Sequence, residues 1–378
     1  MVDIEPALRF RVADVVRVHG PRYVERHGAR LSTTQLRTLD GISRCRTASM
    51  GAHAAIYSCG HQVIAYNSCR VRGCTNCGRH LAAEWVEGRE QDLLPITYFH
   101  IVFTLPPALR DVPTVARWKV YDALFRASSA TLARFAREKL HGEPGVVSVL
   151  HTWGQNLSHH PHIHCVVAGG AWDAQRKAFI KAPNPRFLFS VRAMSKVFRG
   201  KMLADLRKHG LPGVNDDMLT RILSKAATAE WVVYAKPPFG GPRQVLRYLA
   251  RYVHRVAIGD SRLVDVNDTS VTFRMKDYRD GGRNKLMTLD GDEFLRRFLQ
   301  HIPPRGFVRI RSSGFLANTV KRDRLAAIRQ ALGVAAPSTP PAKAPPPPCP
   351  HCGATFVQRL EVLPRVPPQS LLRRPDTS

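Results

Sequence analysis

The stretch HTWGQNLSHHPHIHCVV, residues 151–167, constrains this chain more than any other. Five histidines fall between His151 and His164, a turn-like Asn156-Leu157-Ser158 divides them, and a β-branched pair, Val166 and Val167, closes the segment. The pattern predicts a β-hairpin built around a metal. Strand side chains alternate faces, so His162 and His164 point the same way while Ile163 points the other. Two imidazoles make an incomplete ligand set. The incoming strand, roughly Val147 to Gln155, carries His151, Trp153 and Gln155 on one face, which the hairpin folds against the pair. His151 is the first choice for the third ligand and Gln155 the alternative. Imidazoles with open coordination positions suit a divalent ion that polarises a bound oxygen, and Mg²⁺, Mn²⁺ and Zn²⁺ all fall within that chemistry. His159 and His160, beside the turn, read as solvated or satisfied polar groups.

The chain's length of 378 residues accommodates two or three domains. Its formal net charge is +28, from 57 lysines and arginines against 29 aspartates and glutamates. So large an excess predicts a polyanionic partner bound with counterion release, and nucleic acid is the natural one. No long apolar span or basic amphipathic terminus suggests a membrane partner. The opening MVDIEPALRFRVADVV lacks the apolar core of a signal peptide, so a cytoplasmic, reducing setting is expected.

The cysteines fit that setting, because their spacing is that of metal ligands. Cys74 and Cys77 form a Cys-x-x-Cys knuckle, and Cys59 is the expected third thiolate of a tetrahedral Zn²⁺ site. Cys45, His53, His61 and Cys69 compete for the fourth position. Arg70, Arg72 and Arg79 beside the knuckle are placed to meet phosphates. Cys349-Pro-His-Cys352-Gly353 resembles half a zinc ribbon with no second pair nearby in sequence.

An apolar stripe of Ala7, Leu8, Val12, Val15 and Val16 predicts an N-terminal helix, and Ser32 to Gln35 caps a second one running toward Ile42. A further helix is expected near Leu81 to Leu94. The coarse order then reads strand 97–104, helix 115–140, strand 145–155, strand 161–168, helices 190–229 and strand 230–236. That is βαββαβ with a helical insertion: an α+β fold whose antiparallel sheet is ferredoxin-like or RRM-like. Beyond it, Arg262 to Lys276 alternates as a strand, Gly281-Gly282 turns, and Leu316 to Leu332 is helical. Residues 334–348 form an Ala/Pro-rich linker, followed by a tail expected to be disordered. The domain expectation is 1–95 helical, zinc-binding and DNA-binding, 96–332 a core that carries the histidine hairpin, and 333–378 linker and tail.

After Lys236, PPFGGP breaks the chain and Pro242 opens the helix RQVLRYLARYVHR. Tyr248 and Tyr252 lie one turn apart on it, roughly 6 Å from each other on one face. Arg243, Arg247, Arg251 and Arg255 recur beside them as a stripe suited to a sugar–phosphate backbone. Arg309 and Arg311 share a strand face later in the chain, expected to lie against DNA. A tyrosine hydroxyl is a weak nucleophile near its ordinary pKa of about 10, so attack on a phosphodiester needs help with the developing charge. A divalent ion at the histidines would supply it. The tyrosine displaces a 3′ hydroxyl and keeps the 5′ phosphate, and two tyrosines allow two such linkages in succession.

Five segments, CRTASMGAH, YNSCRVRGCTNC, HTWGQNLSHHPHIH, YLARY and GFVRIRSSGFLAN, in that order, resemble the rolling-circle HUH transposases of bacterial insertion sequences, specifically the two-tyrosine, IS91-like group. The resemblance spans about residues 10 to 332. It implies an N-terminal zinc-binding domain, an HUH nuclease core, and nicking and joining of single-stranded element ends. It also implies Tyr248 and Tyr252 as nucleophiles and His162 and His164 as metal ligands. Ile56 stands where the family's zinc module commonly has the first cysteine of a pair ending at Cys59. A plasmid or phage replication initiator, or a relaxase, would use the same chemistry; a rival of another class is a non-enzymatic zinc-dependent DNA-binding protein.

Overall fold

The computed structural model describes residues 10–236, 244, 257–278, 280–335, 348–354 and 357–366. Helix α1, Val12–His27, buries Val12, Val15 and Val16, three members of the stripe read from the sequence; Ala7 and Leu8 lie outside the described residues. Helix α2, Thr33–Arg44, starts on the expected capping box: Ser32 Oγ accepts from the Gln35 amide and Gln35 Oε1 accepts from the Ser32 amide at 2.9 Å. Strands β1, Ala52–Tyr57, and β2, Gln62–Tyr66, form a hairpin, and helix α3, Thr75–Glu90, follows.

The central sheet is built from β3, Tyr98–Thr104; β4, Glu143–Trp153; β5, His159–Asp173; β7, Val233–Lys236; and β11, Ile310–Gly314. Its order is β11-β4-β5-β3-β7, all pairs antiparallel, with β6, Ala178–Lys181, on the extension of β5. The protein is therefore a mixed α+β structure. Alternation along the strands divides the sheet cleanly. Phe99, Ile101, Phe103, Leu150, Ile163, Cys165 and Val167 face a core shared with three helices that follow the single-turn α4, Pro107–Arg110: α5, Arg117–Leu140; α6, Val191–His209; and α7, Asp216–Thr228. Helix α5 earns its place by spacing, with Val120, Leu124, Ala127, Thr131 and Phe135 buried along one stripe. The opposite sheet face packs Val147, Val149, Val166 and Phe315 against helix α9, Lys321–Leu332. It is also the face that carries the histidines.

A separate core joins the two ends of the sequence order. Val12, Val16, Leu39 and Ile42 from α1 and α2 pack with Phe273 of β9, Ser270–Asp277, and with Phe294 and Phe298 of helix α8, Gly291–Leu299. Strands β8, Leu263–Val266, and β10, Arg283–Asp290, flank β9 in a three-stranded sheet, with Gly281 and Gly282 in the turn as expected. Asp260 ties this unit to the N-terminal helices, accepting from the Val12 amide at 2.9 Å and the Thr75 hydroxyl at 2.6 Å.

Leu157, at the tip of the β4–β5 hairpin, enters that same core and is fully buried. Polar groups hold the tip from outside. Arg262 donates to the Gln155 carbonyl, Arg297 to that of Asn156 at 3.0 Å, and Gln300 to that of Leu157 at 3.0 Å. Leu157→Ala is expected to destabilise the protein by about 2–5 kcal/mol, because the side chain it removes is fully buried in that core. Chemical denaturation of the two chains measures it, and a loss below about 1 kcal/mol would mean that the tip is not anchored there.

The tail departs from expectation. Val357–Leu363 is strand β12, paired antiparallel with β1 from Ala52↔Leu363 to Ala55↔Leu360. Its partner lies near the other end of the chain, where local sequence gives no sign of it.

Candidate metal centres and nucleic-acid groove

The β4–β5 register places His151 directly opposite His162, and Val149 opposite His164. One ring nitrogen from each of His151, His162 and His164 lies within 4.8 Å of the others. Of the two candidates for the third position, His151 joins the pair, while Gln155 lines the same cleft through the turn. Burial, the largest influence on all three rings, lowers the pKa of His162 to about 4 and those of His151 and His164 well below the ordinary histidine value. Neutral imidazoles keep a lone pair for a metal, so the donor set fits a divalent ion.

Two groups that the sequence reading passed over orient these rings. The Nδ1 of His162 donates to the His160 carbonyl at 2.7 Å, which leaves Nε2 for the cluster. His164 Nδ1 lies 2.7 Å from Nε2 of His100, whose ring stacks on it at an interplanar angle of 2°. His100 comes from β3, two residues from the position opposite His164, so it shares the histidine face. A period-two search from His162 across a predicted neighbouring strand would have found it. His159 is structural: its Nε2 meets the Tyr121 hydroxyl at 2.5 Å and its Nδ1 donates to the Arg110 carbonyl at 3.0 Å. Trp153 stacks on His151 with ring centroids 4.8 Å apart.

The histidines open into a cleft of about 840 Å³, with Thr104, Arg110 and Gln155 on the sheet side and Ile258, Arg262 and Tyr278 opposite. Tyr248, Tyr252, Arg243, Arg247, Arg251 and Arg255 lie outside the described residues. The residues on either side of that stretch do border the site. Lys236 is in register with His100 across β7 and β3, and Ala257 and Ile258 line the cleft.

The second centre is a set of four thiols. Cys45 ends α2, Cys69 lies in the loop after β2, and Cys74 and Cys77 open α3; all four sulfurs lie within 4.8 Å of one another. Cys69 and Cys77 sulfurs are 3.8 Å apart, the edge of a tetrahedron with Zn–S near about 2.3 Å. This Cys₄ set fits Zn²⁺. The expectation that Cys59 is a ligand here is corrected, and so is the candidacy of His53, which is exposed on β1. The β1–β2 hairpin carries Cys59 away while the loop after β2 returns Cys69. Ile56 therefore costs this centre nothing.

Arg70, Arg72, Arg309 and Arg311, read separately in the sequence, line one groove of about 610 Å³ with Trp85 and Arg89 of α3. Arg72 donates to the Phe307 carbonyl at 2.5 Å, joining the zinc loop to the approach to β11. Arg309 lies over the Trp153 ring, 5.6 Å from its centroid, and burial lowers its pKa to about 10. Arg311 is engaged by Asp122 and sits 4.2 Å above the Phe125 ring, so it braces α5 as well as lining the groove. Among the described residues no helix is long and apolar enough to cross a membrane.

Residues 15–105 match the family model described as "Transposase zinc-binding domain", and residues 145–324 match that described as "Putative transposase". The chain is 46% identical to "Putative transposase y4qJ" of Sinorhizobium fredii, over 88% of this chain and 87% of that one. It is 30% identical to the transposase for insertion sequence element IS801 of Pseudomonas savastanoi pv. phaseolicola, over 82% of this chain and 77% of that one. No solved structure matches significantly. These likenesses define the class as insertion-sequence transposases with a zinc-binding domain. Within it, the chain belongs to the IS91-like two-tyrosine transposase family.

Proposed function

We propose that the protein nicks and rejoins single-stranded DNA at the ends of its element through 5′-phosphotyrosine linkages, the chemistry of rolling-circle transposition, with an HUH-type nuclease core. The observation that carries this reading is the convergence of His151, His162 and His164 at a cleft lined by Ala257 and Ile258, which follow the segment bearing Tyr248 and Tyr252, while Lys236 before that segment pairs with His100 on the strand beside His164. The sheet order supports it too. Taken as β3, β4, β5 and β7, the strands follow the split βαβ arrangement of a ferredoxin-like core.

His151, His162 and His164 would hold Mg²⁺ or Mn²⁺, which when bound neutralises charge on the scissile phosphate. His100 and the His160 carbonyl hold the rings in one tautomer and orientation. Tyr248 or Tyr252 attacks phosphorus through its hydroxyl oxygen, losing its proton, and the 3′ oxygen leaves and is protonated. The linkage keeps the energy of a phosphodiester, so a 3′ hydroxyl reverses it and joins strands. Arg70, Arg72 and Arg309 in the groove, with the arginines around the tyrosines, hold the DNA backbone, an interaction that weakens with salt.

The test mixes the full-length protein with end-labelled single-stranded oligonucleotides tiling the element's ends, with Mg²⁺ or Mn²⁺, on a denaturing gel. Label should move to the mass of the protein, and Tyr248→Phe combined with Tyr252→Phe should abolish that shift while leaving DNA binding intact. Adduct formation by the double variant would remove the tyrosines from the mechanism. A wild-type protein that binds its ends without forming an adduct would favour a non-catalytic binding protein.

A further inference from the structure

A third cluster of metal-ligating side chains lies outside everything described above. The sulfurs of Cys59, Cys349 and Cys352 sit within 4.8 Å of one another, although 290 residues separate Cys59 from Cys349. We propose that these three thiolates bind a second zinc ion, which fastens the C-terminal tail to the β1–β2 hairpin of the zinc-binding domain.

The distances select metal over a disulfide. Cys59 and Cys349 sulfurs are 3.7 Å apart, whereas a disulfide needs about 2.05 Å. A tetrahedron with Zn–S of about 2.3 Å has edges near 3.8 Å, the separation found here and in the Cys₄ centre.

Both halves of the cluster are shaped as turns that present sulfur. Cys59 lies in the β1–β2 turn, closed by the Gly60 amide on the Tyr57 carbonyl at 2.9 Å and the Tyr57 amide on the His61 carbonyl at 3.0 Å. The Cys349-Pro-His-Cys352 knuckle is closed by the Gly353 amide on the Cys349 carbonyl at 2.9 Å. Each half ends on a glycine with positive φ, +79° at Gly60 and +73° at Gly353, where a side chain would strain the turn.

The backbone brings the halves together independently of the thiols. Strand β12 follows the knuckle closely and is held in register on β1, whose own C-terminal end leads into Cys59. The cluster is therefore positioned by sheet hydrogen bonds, as a preorganised ligand set should be. One histidine accompanies each half, and the rings of His61 and His351 stack with centroids 5.7 Å apart and planes 14° from parallel. Neither ring is a member of the cluster, so the fourth position is left to a water or to one of these imidazoles after its side chain turns. The chemistry is that of a structural zinc: thiolate-rich, with no carboxylate and no place in the histidine cleft.

Metal content distinguishes this arrangement from its rivals. Full-length protein is purified under reducing conditions and its zinc measured per chain, alongside Cys59→Ser, Cys349→Ser, Cys352→Ser and the double variant Cys59→Ser with Cys352→Ser. Each, the double variant included, should hold one equivalent less zinc than the parent, because residues from the two ends of the chain share one ion. Loading with Co²⁺ should give thiolate charge-transfer absorption that falls by the same step in every variant, and proteolysis should clip the tail faster in each. Unchanged zinc in the Cys349 and Cys352 variants would overturn the proposal. Loss of zinc from Cys59→Ser alone would overturn it as well, by returning Cys59 to the N-terminal centre. So would a Cys59–Cys349 disulfide found in the reduced-purified chain by mass spectrometry.

Discussion

His162→Ala is expected to lower metal-dependent adduct formation by about a thousandfold while leaving binding of single-stranded DNA nearly unchanged. Removing one of three imidazoles takes away a ligand that no neighbour can replace, since its ring is fixed by the His160 carbonyl and faces His151 across the strand pair. A factor of a thousand corresponds to about 4 kcal/mol of transition-state stabilisation, the order found when one preorganised electrostatic contact is deleted. DNA binding should be retained because, on the proposed reading, it rests on arginines, none of which belongs to the histidine cluster. His100→Ala should show a graded effect. It removes the partner of His164 Nδ1 but no ligand, so metal affinity and adduct rate should fall about 10- to 100-fold. His100→Gln, which still offers a hydrogen bond, should recover part of that loss. Calorimetric titration of Mn²⁺ beside the gel assay reads both quantities. Equal losses for His162→Ala and His100→Ala would place His100 in the ligand set, and no loss for His162→Ala would remove the metal from this site.

The histidine cluster was legible because period-two alternation is a local rule. Once His162 and His164 share a face, His151 and Gln155 are the candidates on the facing strand; the β-bulge between His151 and Trp153, which brings His151 opposite His162, is what decides between them, and it is not written in the local pattern. Local periodicity, two for strands and 3.6 for helices, also explains the expected order of the longer elements between residues 97 and 236, while the four-residue α4 and β6 carry too little pattern to be read. What stayed hidden depends on contacts distant in sequence. Cys59 could not be separated from Cys74 and Cys77 by spacing, because the assignment turns on where a hairpin points, and its true neighbours follow a proline-rich linker. β12 is short and finds its partner across the chain. Leu157 looked like a turn residue, and only tertiary structure shows it buried with φ near +61°, a conformation few leucines adopt. The arginines behaved the same way: their chemistry was legible one by one, while the groove that joins Arg72 to Arg309 is a product of packing.

Loss of the Cys₄ zinc is expected to disable the histidine site although no cysteine touches it. Cys45, Cys74 and Cys77 belong to the same buried apolar cluster as Leu39, Ile42, Phe294 and Leu157. Zinc in small thiolate sites contributes apparent free energies of about 10–16 kcal/mol, as large as the net stability of a typical domain. Cys74→Ser with Cys77→Ser should therefore release α2 and the start of α3, and the cluster beneath them should loosen. Leu157 then loses its seat, and with it goes the constraint on the turn that sets His151 against His162. The core beneath α5 and α6 shares none of these residues and should persist. Hydrogen exchange resolves the two halves: amides of residues 154–158 and of α1 should lose protection in the variant, while those of α5 and β5 from Ile163 to Val167 keep theirs. Adduct formation should fall with the first group. If the hairpin tip keeps its protection after zinc is lost, the centre and the histidine site are energetically independent, and the shared core is mere contact. Loss of protection throughout would instead mean that the two cores fold as one unit.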